Sequence, residues 1–240
     1  MLLHPDKTKC MLIGSKYKLK EQTLQLKLND NYIENVTVQK VLGVYVDNTL
    51  SWNVHLNKLC AKINSKIALL KRISNLLTYD MKILFYNSYI MSTFDFCCTV
   101  WGTGKRSESI ITRLQNRTAK VILQQHYKSH ANSVFTKLEW LPFRKRYNYH
   151  MGLMIYKSIK GDAPKYISNL LQFCENNNYN LRSTERKDLR MANIKINTNY
   201  MKASFTYNSI SVWNNIPTRI RNINTISLFK KQFKQHLLIN

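Results

Sequence analysis

The chain has 240 residues, 44% of them hydrophobic, and sets 37 Lys and Arg against 13 Asp and Glu for a formal charge of +24. That length suffices for one large domain or two small ones, and the hydrophobic share is that of a globular protein. An excess of positive charge this large repels itself in a compact state unless a polyanion neutralises it, which points to nucleic acid first and an acidic membrane surface second. The cations are interspersed with apolar residues along the whole chain, and no acid follows Asp188, so a folded basic surface is expected rather than a basic tail. The cysteines are Cys10, Cys60, Cys97, Cys98 and Cys174, odd in number and never at CxxC spacing. That argues against a disulfide framework and a zinc finger, and for buried reduced thiols. With no apolar run long enough to span a bilayer and no signal-peptide pattern at the start, the expectation is an intracellular protein, nuclear or cytoplasmic, neither secreted nor membrane-bound.

In chain order, MLIG (11–14), LQLKL (24–28) and the β-branched VLGVYV (41–46) predict strands, with Asp47-Asn48 a turn after the last of them. From Ser51 the period changes. Leu56, Leu59, Cys60, Ile63, Ile67, Leu70, Ile73 and Leu77 fall at three- and four-residue steps, the stripe of an amphipathic helix. Lys58, Lys62 and Lys66 make a second, basic stripe on it. Thr78 suits the N-cap of a helix over about 79–93. WGTGK (101–105) is a loop, and a further helix is predicted from about Ser107 to Gln124. Pro142 suits the first turn of the next helix and Gly161 its end, with Pro164 opening a short one. ENNNYN (175–180) is a polar break. Residues 181–201 read as extended and polar, and two more helices are predicted near 203–215 and 226–238, the second capped by Thr225. The expected fold is α+β and predominantly α-helical, a small antiparallel β element followed by a helical body. The expected domains are 1–52, 53–176 and 177–240.

Few residues group as catalytic chemistry would require. Asp47, Trp52 and His55 lie within nine positions, but no second carboxylate or orienting partner stands near them. The expectation is that Asp47 turns the chain, Trp52 plugs the strand–helix corner and His55 sits in the first helical turn. GTGK (102–105) lacks the spacing of a phosphate loop. Cys97 and Cys98, being adjacent, are poorly placed to share a metal, and His126 and His130 lack a third ligand. No metal site is expected. The basic face of Lys58, Lys62 and Lys66 remains, each lysine able to neutralise a phosphate.

Several segments resemble a known family. LHPDKTKCMLIG (3–14) resembles the motif D of reverse transcriptases, the segment after the catalytic Asp-Asp turn. VLGVYVDNTLSW (41–52) resembles their motif E, whose Leu-Gly pair lies in the hairpin that grips the primer. WNVHLNKLCAKINSKIALLKRI (52–73) is similar to the first thumb helix of non-LTR (LINE-type) retrotransposon enzymes. TVWGTG (99–104), the segment 138–171, NLRS (180–183), 204–222 and LFKKQFKQHLL (228–238) resemble the C-terminal part of jockey-like and CR1-like element proteins. The resemblance implies a palm edge, a helical thumb and a C-terminal region, with Leu42 and Gly43 on the primer grip; the nucleic-acid contact expected of Lys58, Lys62 and Lys66 rests on charge and helical period. A glycine at 43 would let a nucleic-acid backbone approach closely.

The departure from the family is as informative. Polymerase chemistry needs two metals held by carboxylates that precede motif D, and no Asp-Asp pair occurs anywhere in the chain. Lys7 matches the motif D lysine proposed to protonate pyrophosphate, a role with no substrate here. The family uses magnesium; without its ligands, no cofactor and no enzymatic activity are expected of this chain. The expectation is therefore a truncated part of a retrotransposon reverse transcriptase that binds DNA or RNA. The alternatives are an inert transposon fossil, or a subunit working in trans with a partner that carries the upstream palm and fingers.

Overall fold

The computed structural model describes residues 4, 7–20, 24–28, 31–125, 131–174, 187–190 and 196–239, with the backbone alone for 131–134. The fold is α+β and predominantly helical, as expected, and forms two compact units, Met1–Ser65 and Lys66–Asn240. The division falls inside the helix Asn53–Ile73. The polar break at 175–180, NLRS at 180–183 and the histidine pair 126/130 lie outside the described residues.

The first unit carries short strand pairs. Strand β1 (Lys9–Cys10) pairs with β4 (Glu34–Asn35) in parallel, and β2 (Lys27–Leu28) pairs with β3 (Asn31–Tyr32) antiparallel. MLIG is not a strand: it runs as irregular chain into a short helix, α1 (Lys16–Lys20), and the Gly14 N–H donates to the Asn48 carbonyl at 3.0 Å. VLGVYV is not one strand either. It is the tip of a hairpin in which β5 (Val38–Val41) and β6 (Val44–Asp47) pair antiparallel from Val38↔Asp47 to Val41↔Val44. The two-residue turn is Leu42–Gly43, with φ of +46° and +92°. Two positive φ values match the right-handed twist of the strands, so Gly43 fits without cost while Leu42 is strained.

Helix α2 (Asn53–Ile73) follows the predicted stripe, with Leu56, Leu59, Ile63, Ile67 and Leu70 buried. The hairpin leads into it through Asp47, whose carboxylate accepts hydrogen bonds from Thr49 Oγ1 at 2.6 Å, Ser51 N–H at 3.0 Å and Trp52 N–H at 2.8 Å. That fastening holds Leu50 and Trp52 at positive φ. Trp52 is partly buried at this corner; His55, in the first turn, is buried, and its Nδ1 accepts the Tyr45 N–H at 3.4 Å.

In the second unit, Thr78 caps α3 (Tyr79–Phe85) by accepting the Met81 N–H. The helix continues as a π-helical segment (Tyr86–Met91) and α4 (Ser92–Asp95). After α5 (Cys98–Trp101) come α6 (Lys105–Ile122), α7 (Ala131–Leu138) and α8 (Phe143–Lys160). Pro142 precedes α8 and Gly161 ends it at φ +82°, as predicted; α9 (Lys165–Ser168) follows Pro164. The remainder comprises β7 (Gln172–Phe173) antiparallel with β8 (Leu189–Arg190), then α10 (Asn199–Lys202), α11 (Phe205–Asn214), α12 (Thr218–Arg221) and α13 (Ile226–Ile239).

Helix α8 is buried on two faces. On one, Phe143 stacks on Trp101 with centroids 5.5 Å apart, while Tyr86 stacks on Trp140 at 3.5 Å. On the other, Met151, Ile155 and Tyr156 pack with Val212, Trp213, Ile216, Phe229 and Phe233. Gly152 admits the Phe233 ring, since a Cβ there would lie 2.4 Å from its edge. Among the described residues, no helix is long and apolar enough to cross a membrane.

Candidate nucleic-acid interface

Not all of the cations read from the sequence stand where a polyanion can reach them. Lys7 is exposed at the end of a short turn. Leu42, 90% exposed, and Gly43 form the hairpin tip. Behind that tip the ammonium groups of Lys40 and Lys58 lie 5.8 and 5.0 Å from the Tyr45 ring centroid. An exposed cation–π contact is worth about 0.5–1 kcal/mol, little enough for either lysine to exchange it for a phosphate. Lys62 is exposed. Lys66 differs: its Nζ donates to the Tyr89 carbonyl and to Thr93 Oγ1, both at 2.6 Å, and lies 4.0 Å from the Tyr89 ring centroid. This lysine holds α2 to the π-helical segment, so most of its bonding capacity is spent inside the protein.

The second unit contributes a feature that the basic stripe did not reveal. The last two turns of α2 and the C-terminal half of α6 enclose a groove of about 620 Å³. Its lining includes Ala68, Val121 and the buried Ile67. Its rim carries Lys71 and Arg72 from α2, and Arg117 and Lys120 from α6. Among the described residues, no acid lines it. Lys71 and Arg72 occupy the last turn of α2, and Lys120 that of α6, where the negative ends of the helix dipoles favour cations. At one end stands Gln125, whose amide oxygen is buried and has no hydrogen-bond partner among the described residues. A sequence signal existed for half of this site: Arg113, Arg117 and Lys120 repeat at helical spacing along α6.

Four of the described acids are engaged elsewhere. Glu34 pairs with Lys9 at 3.0 Å, and Asp188 with Arg221 at 2.7 Å. Asp95 receives both Nε and Nη2 of Arg146, and His150 Nε2 lies 3.4 Å from it. Burial would raise the carboxyl pKa of Asp95, but the hydrogen bonds and charges of His150 and Arg146 outweigh it and hold it below the ordinary value. Asp47 behaves alike: burial raises it, and the Thr49, Ser51 and Trp52 donors bring it below the ordinary value. Among the described residues, no three His, Cys, Asp or Glu side chains converge.

The cysteines form no disulfide, and only Cys98 is buried; Cys97 is exposed and the other three are intermediate, which corrects the expectation of buried thiols. Burial first, and then the nearby Asp95 charge, push the Cys98 thiol up to about 12, so it is not a nucleophile at neutral pH.

A scan against protein-family models, a search of curated proteins and a search of solved structures each found no match to this chain.

Proposed function

We propose that this chain derives from the C-terminal portion of a non-LTR retrotransposon reverse transcriptase and binds DNA or RNA without catalysing polymerisation. The ancestry rests on the order of the segments that resemble motif D, motif E and the thumb helix. The binding function rests chiefly on one observation, a groove lined by four cations and, among the described residues, by no acid. In a chain of charge +24, each of those cations gains by displacing counterions from a phosphate backbone. The exposed Lys58 and Lys62 and the Leu42–Gly43 tip are proposed as further contacts. This reading places the protein inside the cell, where nucleic acid is found.

Fluorescence anisotropy with labelled RNA and DNA, titrated with KCl, tests it. The logarithm of the affinity should fall linearly with the logarithm of salt, with a slope of about −0.7 to −0.9 for each phosphate neutralised. An affinity that does not respond to salt would refute the binding function. Primer extension with magnesium and all four nucleotides tests the other half: templated synthesis by the purified chain would end the non-catalytic reading.

A further inference from the structure

The rod of α3, the π-helical segment and α4 turns an apolar face outward. Met81, Leu84 and Tyr89 are 52, 66 and 47% exposed, and Phe96, at the C-cap four positions past Ser92, is 52% exposed. Hydrogen bonds record their alignment. Ser88 Oγ donates to the Leu84 carbonyl at 2.7 Å and Ser92 Oγ to the Ser88 carbonyl, so 84, 88 and 92 stack one turn above another. Beside them the partly buried Phe85 packs edge-to-face on Tyr89, 5.3 Å between centroids. Both serine hydroxyls already have an acceptor, so covering them costs little desolvation. Charge is sparse as well. Between Leu76 and Val100 the only Lys or Arg is Lys82, which is buried, in a chain that has 37 of them. Of the two acids in that stretch, Asp95 is held by Arg146. Lys66 stands at the edge of the face, over the Tyr89 ring.

A second copy of the chain fits this face in charge, shape and size. Two bodies of charge +24 repel each other, and an isologous contact between their nearly uncharged stripes lets them meet where the fewest cations are opposed. Along one file the order is Met81, Leu84, Ser88, Ser92, Phe96. An antiparallel copy, related by a two-fold axis at Ser88, sets Leu84 of one protomer over Ser92 of the other and Met81 near Phe96. Large then meets small, and a thioether meets a ring. Four side chains exposed by about half or more leave on the order of 100 Å² each, and Phe85 and the two serines raise this to roughly 500 Å² per copy. Two copies would bury about 1,000 Å², the lower bound for a specific interface and the size of a weak one. We propose that the chain forms an antiparallel two-fold dimer through the outer faces of this rod, with a dissociation constant on the order of micromolar. The dimer does not depend on the nucleic-acid reading above, since none of the groove's cations takes part in it.

Analytical ultracentrifugation of the full chain tests it, after nuclease treatment so that no polyanion bridges two copies. Between about 1 and 100 μM the mass should climb from 28.4 kDa towards twice that value. Association should strengthen as KCl rises, because salt screens the like charges, whereas nucleic-acid binding weakens. Leu84→Glu, which opposes a carboxylate to the second copy, should weaken the dimer at least about tenfold. Leu228→Glu, the same change at a 45% exposed position of α13, should leave it intact. L84S and S92L should each weaken association, and L84S/S92L, which again sets large against small, should recover most of it. Circular dichroism checks that each variant folds. A chain that stays monomeric at about 100 μM, a dimer indifferent to Leu84→Glu, or equal losses in Leu84→Glu and Leu228→Glu would overturn the proposal. A swap that recovers nothing would overturn the antiparallel pairing. Monomeric protein that floats with neutral phosphatidylcholine vesicles would overturn the dimer and give the face to a lipid surface.

Discussion

Replacing Gly152 by Ala sets two opposed effects against each other, and the structure decides between them. Gly152 lies in the middle of α8, where alanine is better than glycine by about 1 kcal/mol of helix propensity. The added methyl would lie 2.4 Å from Phe233 Cε1, 3.0 Å from its Cζ and 3.3 Å from Ile216 Cδ1. The ring has little freedom to retreat. Phe233 is 2% exposed and lies between Tyr149, 6.0 Å away, and Phe229, 5.5 Å away. Overpacking of this kind costs about 1–3 kcal/mol, and a contact this short in a closed aromatic cluster belongs at the upper end. The net expectation is a loss of about 2 kcal/mol. Urea unfolding followed by tryptophan fluorescence should show the midpoint lowered by about 0.7–1 M for a slope of roughly 2–3 kcal/mol/M. G152A/F233L, which removes the clashing ring, should recover part of that loss. A G152A midpoint above wild type would mean that propensity wins and that α8 and α13 do not approach as closely as described.

Asp95→Asn should destabilise by about 3–5 kcal/mol in the same assay, because it leaves the buried Arg146 without its countercharge, whereas D95L/R146M should lose less. Lys66→Ala should lower stability by about 1–2 kcal/mol and leave nucleic-acid affinity nearly unchanged, while K58A/K62A should show the reverse; a large loss of affinity from Lys66→Ala alone would show that its ammonium faces the ligand. Stability should fall with acid in two stages. His55 titrates below its usual 6.5 in the fold because burial disfavours its charge, so the unfolded chain takes the proton first and stability declines from about pH 6.5 downward. Asp47 and Asp95 sit below the ordinary 3.8, so their contribution is present above that value and disappears as pH falls through their lowered folded values. His236 is lowered likewise, by burial and by the Arg219 charge, so urea midpoints measured against pH should shrink the first stage in His55→Asn and the second in Asp47→Asn.

The helices were largely legible in the sequence because their signals are local. The 3–4 stripe defined α2, the Thr78 hydroxyl capped α3, and Pro142 and Gly161 bracketed α8. The local pattern hid the hairpin, which only the motif E resemblance suggested, because its turn lacks the usual Asn-Gly: Leu42 looks like a strand residue, so VLGVYV reads as one run. The parallel pairing of Lys9–Cys10 with Glu34–Asn35 is a tertiary choice that two-residue strands cannot announce. The site was half legible for the same reason. Lys58 and Lys62 could be placed on a helix face by counting, but the partners of Lys66 lie 23 and 27 positions downstream. The groove combines residues of α2 with residues of α6, and no window of sequence contains both.

The π-helical segment has a bearing on how this chain can vary. Lys82, Tyr86, Ile90 and Phe94 are all buried, one every fourth residue. On a regular helix a four-residue step overshoots a full turn by about 40°, so such a series would spiral off its face within three steps. The wider turn over Tyr86–Met91 absorbs the drift and keeps Tyr86 and Phe94 ring to ring, 6.3 Å between centroids. This rod is consequently strict about its length and lenient about its outer chemistry. Polar exchanges at exposed Asn87 or Ser88 leave the phase intact, whereas dropping a single residue between Lys82 and Phe94 would turn one end of the stripe towards water.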